Sequence, residues 1–328
     1  MTTPLLEVKN LRVDLPTERG MLHAVRGIDF HVNRGELLCL VGESGCGKSM
    51  TSLALMGLLP RKAVRTADHL RFDGTELQGL PERGMAALRG ARMAMIFQEP
   101  MTSLNPSYTL GDQLCEALRA HRKVSMAQAR ERAVYLLERA GVPQASDRMR
   151  QYPHQLSGGL RQRVMIAMAL MCEPDLIIAD EPTTALDVTI QAQILRLLRE
   201  LQQEFGMAVV FITHDLGVVA RIADRVAVMY AGEVIETAPV AELFARPTHP
   251  YTQGLLQCIP VRGKTLPGSR LQAIPGVVPS LVGTVQGCAF ANRCTHVQPA
   301  CAHTPPYVAL NARHAARCVQ AQSLAEAV

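Results

Sequence analysis

Residues Gly42-Glu43-Ser44-Gly45-Cys46-Gly47-Lys48-Ser49 fit the pattern G-x-x-x-x-G-K-[ST]. They follow an apolar run, Leu37 to Val41, and precede a helix-like pattern from Lys48 to about Leu58. The order is strand, loop, helix. That order suits one kind of ligand. Glycines let backbone N–H groups converge on phosphate oxygens, and the helix N-terminus adds partial positive charge. Lys48 is placed to reach the β- and γ-phosphates, and the Ser49 hydroxyl to ligate Mg²⁺. The expected ligand is ATP with Mg²⁺.

A second feature complements the loop. Leu176-Ile177-Ile178-Ala179 is fully apolar, which suits a parallel strand covered on both faces. It ends in Asp180 and Glu181, at the strand end where open α/β sheets bind ligands. Asp180 is expected to hold Mg²⁺, directly or through water, and Glu181 to polarise an attacking water. Alone, the same pattern is also an ordinary acidic turn. The phosphate loop gives it a second meaning.

Further strands are expected at 5–15, 27–32, 91–97, 207–213 and 224–230. Helices are expected over 109–140 with a break near Ser125, and over 161–172, 188–205 and 215–222. Strands alternating with helices predict a doubly wound α/β core. The helical block at about 99–170 interrupts the alternation and reads as an inserted subdomain. After about residue 258 the chain becomes rich in Pro and Gly. The expected division is a large domain over 1–258 and a loop-rich extension over 259–328.

Composition removes several alternatives. With 48% hydrophobic and 19% charged residues, the 328-residue chain can build a sizeable core. Its net charge of +5 is dispersed, so no nucleic-acid partner is expected. No apolar run approaches the roughly 18 residues needed to span a bilayer. The charged N-terminus does not read as a secretory signal. A cytosolic location is therefore expected, with any membrane role supplied by partner chains.

Four of the nine cysteines, Cys288, Cys294, Cys301 and Cys318, fall in the extension. In a reducing compartment such a group reads as a metal site or as spare thiols. Four thiolates suit zinc or a four-iron–four-sulfur (4Fe-4S) cluster, yet the C-x2-C pairs of common zinc ribbons are absent. Cluster, zinc and unliganded thiols all stay open on spacing. His296, His303 and His314 nearby read as surface residues.

Ser157-Gly158-Gly159 precedes the helix expected over 161–172. Free N–H groups and a hydroxyl at a helix start make a second anion-binding arrangement. By spacing alone an ordinary N-cap is the better explanation. His214 follows the strand over 207–213 directly.

The phosphate loop, then Gln98, then LSGGLRQR, then LIIADEPTTALD, then His214, in that order, resemble the ATPase domain of the ABC transporters over about residues 5–258. The resemblance implies a P-loop NTPase fold carrying an inserted helical subdomain. It implies that Gln98 contacts Mg²⁺ or the water and senses membrane subunits. Ser157, Gly158 and Gly159 correspond to the signature that binds the γ-phosphate held by a second ATPase subunit. Asp187 corresponds to the aspartate coupling the two sites, and His214 to the histidine on the γ-phosphate. Leu160 stands where the signature usually has glutamine. No aromatic residue precedes Phe30 to stack on adenine, which leaves His23 or Arg19 to cover the base.

The stretches Met95 to Pro106, Tyr152 to Gln155, Asp187 to Gln193, His249 to Thr252 and Ile274 to Cys294 resemble the oligopeptide and dipeptide importer branch. That implies a peripheral subunit on the cytoplasmic face of the cell membrane. The implied partners are two transmembrane permease subunits, a second homologous ATPase and an extracytoplasmic peptide-binding protein. It also implies a 4Fe-4S cluster on the four tail cysteines. Other cargo, such as glutathione or metal chelates, stays open. A non-transport ABC ATPase is disfavoured by the single cassette and the lack of sustained heptads. An iron–sulfur redox protein that also binds ATP is the third reading.

Overall fold

The computed structural model describes residues 3–99, 103–184, 186–259 and 273–326. The stretch 260–272 of the Pro- and Gly-rich extension lies outside them. In chain order the elements are β1 (Leu6–Thr17), β2 (Gly20–Val32), β3 (Leu37–Val41), α1 (Lys48–Met56), β4 (Val64–Thr66), β5 (His69–Phe72) and β6 (Thr75–Glu76). Then come α2 (Glu82–Leu88), β7 (Met93–Ile96), α3 (Leu110–Arg119), α4 (Met126–Arg139), α5 (Ala145–Arg148), α6 (Gly158–Ala169) and β8 (Leu176–Asp180). The chain continues with α7 (Val188–Phe205), β9 (Ala208–Thr213), α8 (Leu216–Ile222), β10 (Arg225–Tyr230) and β11 (Glu233–Pro239). It ends with α9 (Val240–Ala245), α10 (Pro250–Gln257), β12 (Tyr307–Ala309), β13 (Ala315–Arg317) and α11 (Ala321–Glu326). Among the described residues no helix is long and apolar enough to cross a membrane.

The chain forms two compact units. One comprises residues up to Leu5, Val32–Glu36 and Gly79–Ile212. Its strands β9, β8 and β7 lie side by side and parallel, with Leu176 opposite both Met93 and Ala208. Every residue of β8 is buried, as a strand covered on both faces requires. The helices of this unit start where their caps dictate. Thr109 accepts the Asp112 N–H, and Ser125 and Gln128 form a reciprocal capping box. That box is the physical cause of the break near Ser125. Helix α7 buries Ile194, Leu195, Leu197, Leu198 and Leu201 on one face. Each such side chain is worth about 1.5–3 kcal/mol of apolar burial.

The other unit comprises Leu6–His31, Leu37–Gln78 and Thr213–Val328. It holds an antiparallel sheet in the order β2-β1-β5-β6, with β4 also paired to β1. It also holds a mixed run in the order β12-β13-β11-β10-β3. Strand β3 pairs parallel with β10, and β11 pairs antiparallel with β10 through a bulge at Val228/Met229. The tail thus extends the sheet that contains the phosphate loop's own strand. It also reaches β2, where the His23 N–H donates to the Leu281 carbonyl at 2.9 Å.

Candidate functional site

The phosphate loop leaves β3 and enters α1 without a side-chain cap, through Gly47 in a left-handed conformation. Two glycines are required by close approach. A Cβ on Gly42 would stand 2.2 Å from the Met229 carbonyl oxygen, and one on Gly47 would stand 2.4 Å from that of Ala24. The loop is therefore pressed between the end of β10 and β2. The Gly232 N–H donates to the Cys46 carbonyl at 3.0 Å and holds it there. Ser44, Gly45 and Ser49 stay exposed, so the crest of the loop is open to a ligand.

Lys48 is 5% exposed. Its ammonium donates to the carbonyls of Gly42 at 2.8 Å and Glu43 at 3.0 Å, and lies 3.8 Å from the Cys46 sulfur. The charge is folded over the loop that would wrap phosphate. Burial pushes the Cys46 thiol pKa up, and the neighbouring Lys48 charge only partly opposes this. Cys46 is thus a packing residue kept as the neutral thiol.

In the other unit, β8 delivers Asp180 and Glu181 together. Asp180 is 5% exposed. Glu181 takes a left-handed backbone, φ 43°, that is rare outside glycine. Its N–H donates to the Ile212 carbonyl at 3.0 Å, which pins the turn against β9. Backbone strain of this kind is concentrated at functional sites. The Glu181 carboxylate accepts from Thr184 Oγ1 at 2.9 Å and from Gln98 Nε2 at 3.3 Å. Gln98 sits two residues beyond the end of β7. The structure therefore joins Gln98 to Glu181 across 83 positions of sequence.

Ser157 is the N-cap of α6, and its oxygen accepts the Leu160 N–H at 3.4 Å. The helix starts at Gly158, three residues earlier than expected over 161–172, because of that cap. The missing Cβ of Gly159 brings its backbone against Ile190 of α7. Asp187 caps α7, accepting the N–H groups of Thr189 and Ile190 at 3.1 and 3.0 Å. The Ser-Gly-Gly turn and the start of α7 are thus neighbours within one unit. His214 is exposed and follows β9 directly; Asp215 beside it caps α8. His23, one candidate to cover a base, is held by Asp14 at 2.6 Å.

The tail cysteines Cys288, Cys294, Cys301 and Cys318 are all free thiols. Burial raises the pKa of Cys288 to about 11, and the charges of the other three add to it. Cys294 and Cys318 are raised the same way, by burial first. The thiols are gathered closely enough to feel one another. Among the described residues, however, no three metal-ligating side chains stand where they could hold an ion. Donor type suits a metal centre, but the spacing here does not close one.

Two further contributors lie in the stretches His249 to Thr252 and Ile274 to Cys294, which carry no phosphate-binding pattern of their own. Tyr251 Oη accepts the Glu43 N–H at 3.0 Å, and the Arg293 guanidinium grips the Glu43 carboxylate. Neither residue belongs to a phosphate-binding pattern.

Comparison with known proteins agrees with this geometry. Residues 25–184 match the ABC transporter family, and residues 235–301 match the oligopeptide/dipeptide transporter C-terminal region. The chain is 52% identical over 298 residues to the oligopeptide transport ATP-binding protein OppD of Bacillus subtilis, covering 90% of this chain and 82% of that one. It is 50% identical over 303 residues to the dipeptide transport ATP-binding protein DppD of the same organism, covering 92% and 90%. Among solved structures, the ATP-binding cassette MJ0796, a dimer in a post-hydrolysis state bound to ADP and Pi, superposes with a TM-score of 0.65 at 28% identity. That match covers 72% of this chain and 98% of the cassette. A strand–loop–helix phosphate cradle, a paired Gln98 and Glu181, and half-identity over nearly the whole length meet in one conclusion: the chain belongs to the ABC transporter family, among the ATP-binding proteins of its oligopeptide/dipeptide branch.

Proposed function

We propose that this chain hydrolyses ATP to ADP and phosphate and so powers import of di- or oligopeptides through membrane permease subunits. One observation carries the reading: the half-identical relatives are named for dipeptide and oligopeptide transport, and the match extends into the tail. The chain acts at the cytoplasmic face of the membrane, with two permeases, a second homologous ATPase and an extracytoplasmic peptide-binding protein. Cargo is chosen by those partners.

The site residues take the following roles. Backbone N–H groups of the loop from Gly42 to Ser49 surround the phosphates, and Lys48, aimed by the Gly42 and Glu43 carbonyls, turns its remaining N–H to the β- and γ-phosphate oxygens. Ser49, Asp180 and Gln98 would hold Mg²⁺, which would supply charge neutralisation at the phosphates. Glu181 orients the attacking water and accepts its proton; its bond to Gln98 sets the carboxylate's direction. His214 donates to the γ-phosphate. Ser157, Gly158 and Gly159 serve the nucleotide held by the partner ATPase, and Asp187 links the two sites. Support comes from the exposed Ser157 turn, whose hydroxyl keeps its proton to donate. The four tail thiols are proposed as the seat of a 4Fe-4S cluster, or of zinc. Their shared location and free state support this.

Anaerobic purification of the chain from membranes, followed by mass spectrometry, tests the proposal. Two permeases and a homologous ATPase are expected with it. Recovery alone, or with a soluble remodelling complex, rejects the importer reading. Iron, sulfide and zinc contents of the same sample test the tail; absence of all three rejects a metal centre.

A further inference from the structure

Glu43 carries the sole carboxylate of the phosphate loop, and all three of its polar groups are engaged. Its carbonyl accepts from Lys48 Nζ at 3.0 Å. Its N–H donates to Tyr251 Oη at 3.0 Å. Its carboxylate receives two guanidinium hydrogen bonds from Arg293, at 2.7 and 3.1 Å. Lys48, which grips phosphate, and Arg293, which lies in the tail, therefore meet on one residue.

Arg293 ends a short 3-10 turn and immediately precedes Cys294. Its side chain is 3% exposed, against 31% for Glu43. The remaining guanidinium N–H groups donate to the carbonyls of Pro275 and Ile274, at 2.9 and 3.1 Å, and to Tyr230 Oη at 3.4 Å. The cation also faces the rings of Tyr230 and Phe290. Those rings pack on Tyr251, with centroids 4.6 and 5.4 Å away. Every donor of Arg293 is thus occupied, and its position is fixed by packing. A bidentate guanidinium–carboxylate pair with one partner nearly dry is short and directional. Glu43 cannot turn its carbonyl without breaking it.

We propose that Arg293 is a positioning residue for the ATP site. Through Glu43 it holds the loop carbonyl that aims Lys48, so the Cys-bearing tail is a structural part of nucleotide binding. The inference rests on the ATPase reading above and adds to it a residue 250 positions from the loop.

The test uses the full-length chain with MgATP as the probe, by calorimetry, and the assembled transporter for steady-state kinetics. Arg293→Met is expected to weaken MgATP binding about tenfold, the loss typical of one charge-assisted contact. KM should rise by the same factor, with kcat changed less than about twofold, because the water-orienting carboxylate is untouched. Glu43→Gln should do the same, and the double variant should be no worse than Arg293→Met. Arg293→Lys should recover part of the affinity. Should Arg293→Met fold poorly, Glu43→Gln decides alone, since that side chain is partly exposed. Unchanged affinity and KM in Glu43→Gln, or additive losses in the double variant, overturn the proposal. A parent chain that does not bind MgATP defeats the ATPase reading instead, which separates the two failures.

Discussion

The Gln98 side-chain amide donates to the Glu181 carboxylate at 3.3 Å, joining the ends of two parallel strands. The contact fixes one oxygen of Glu181, and Thr184 reinforces it at 2.9 Å. Glu181 holds this place at the cost of a left-handed backbone, a strain of about 1–3 kcal/mol that persists only when surroundings enforce it.

Glu181→Gln keeps shape and hydrogen bonding but removes the base. ATP turnover in the assembled complex should fall about 10²–10⁴-fold while MgATP binding is retained. Single-turnover hydrolysis checks this. Gln98→Ala should cost about tenfold in turnover, as expected for loss of one orienting contact.

Gly47→Ala sets a side chain 2.4 Å from the Ala24 carbonyl at φ 101°. Gly45→Ala meets nothing within 4 Å and carries only the penalty of φ 81°. The second should cost about 1 kcal/mol of stability and leave binding measurable. The first should cost roughly twice as much or more and abolish nucleotide binding. Chemical denaturation with MgATP titration separates them.

Much of the core was legible because periodicity and burial coincide there. Strand 37–41 and helix 188–205 lie where apolar runs and helical spacing put them. Strands β4 to β6, β11, β12 and β13 went unread. Several are two to four residues long and half exposed, so period-two alternation has no room to appear. The start of β2 was missed because Gly20 to Leu22 face outward, paired instead with tail residues near Leu281 to Gly283. The phosphate loop and the pair Asp180–Glu181 were readable because each is a local pattern. The grip of Arg293 on Glu43 was not, since nothing local links residues 250 positions apart.

Two buried histidines share Glu236, which accepts the His249 backbone N–H and binds His314 Nε2 at 2.8 Å. His314, expected at the surface, is instead buried between Glu236 and Glu242. Burial alone would lower the His314 pKa, but Glu236 and Glu242 more than offset it and raise the value above 6.5. Its stabilisation is therefore complete below pH about 6.5 and fades as pH rises through the folded value. His249 behaves oppositely: burial lowers its pKa to about 4, so its ring stays neutral when folded. Its contribution is present above pH about 6.5 and fades as pH falls toward 4. His314→Asn should destabilise more at pH 6 than at pH 8.5, whereas His249→Asn should flatten the acid loss. Thermal melts across that range check both.

MgATP binding by the full-length Lys48→Ala chain tests the central claim most directly. The ammonium that now lies on the Gly42 and Glu43 carbonyls would be gone, with the fold intact by circular dichroism. The account predicts loss of hydrolysis and affinity weakened by about tenfold or more. Binding and turnover equal to the parent's would contradict it.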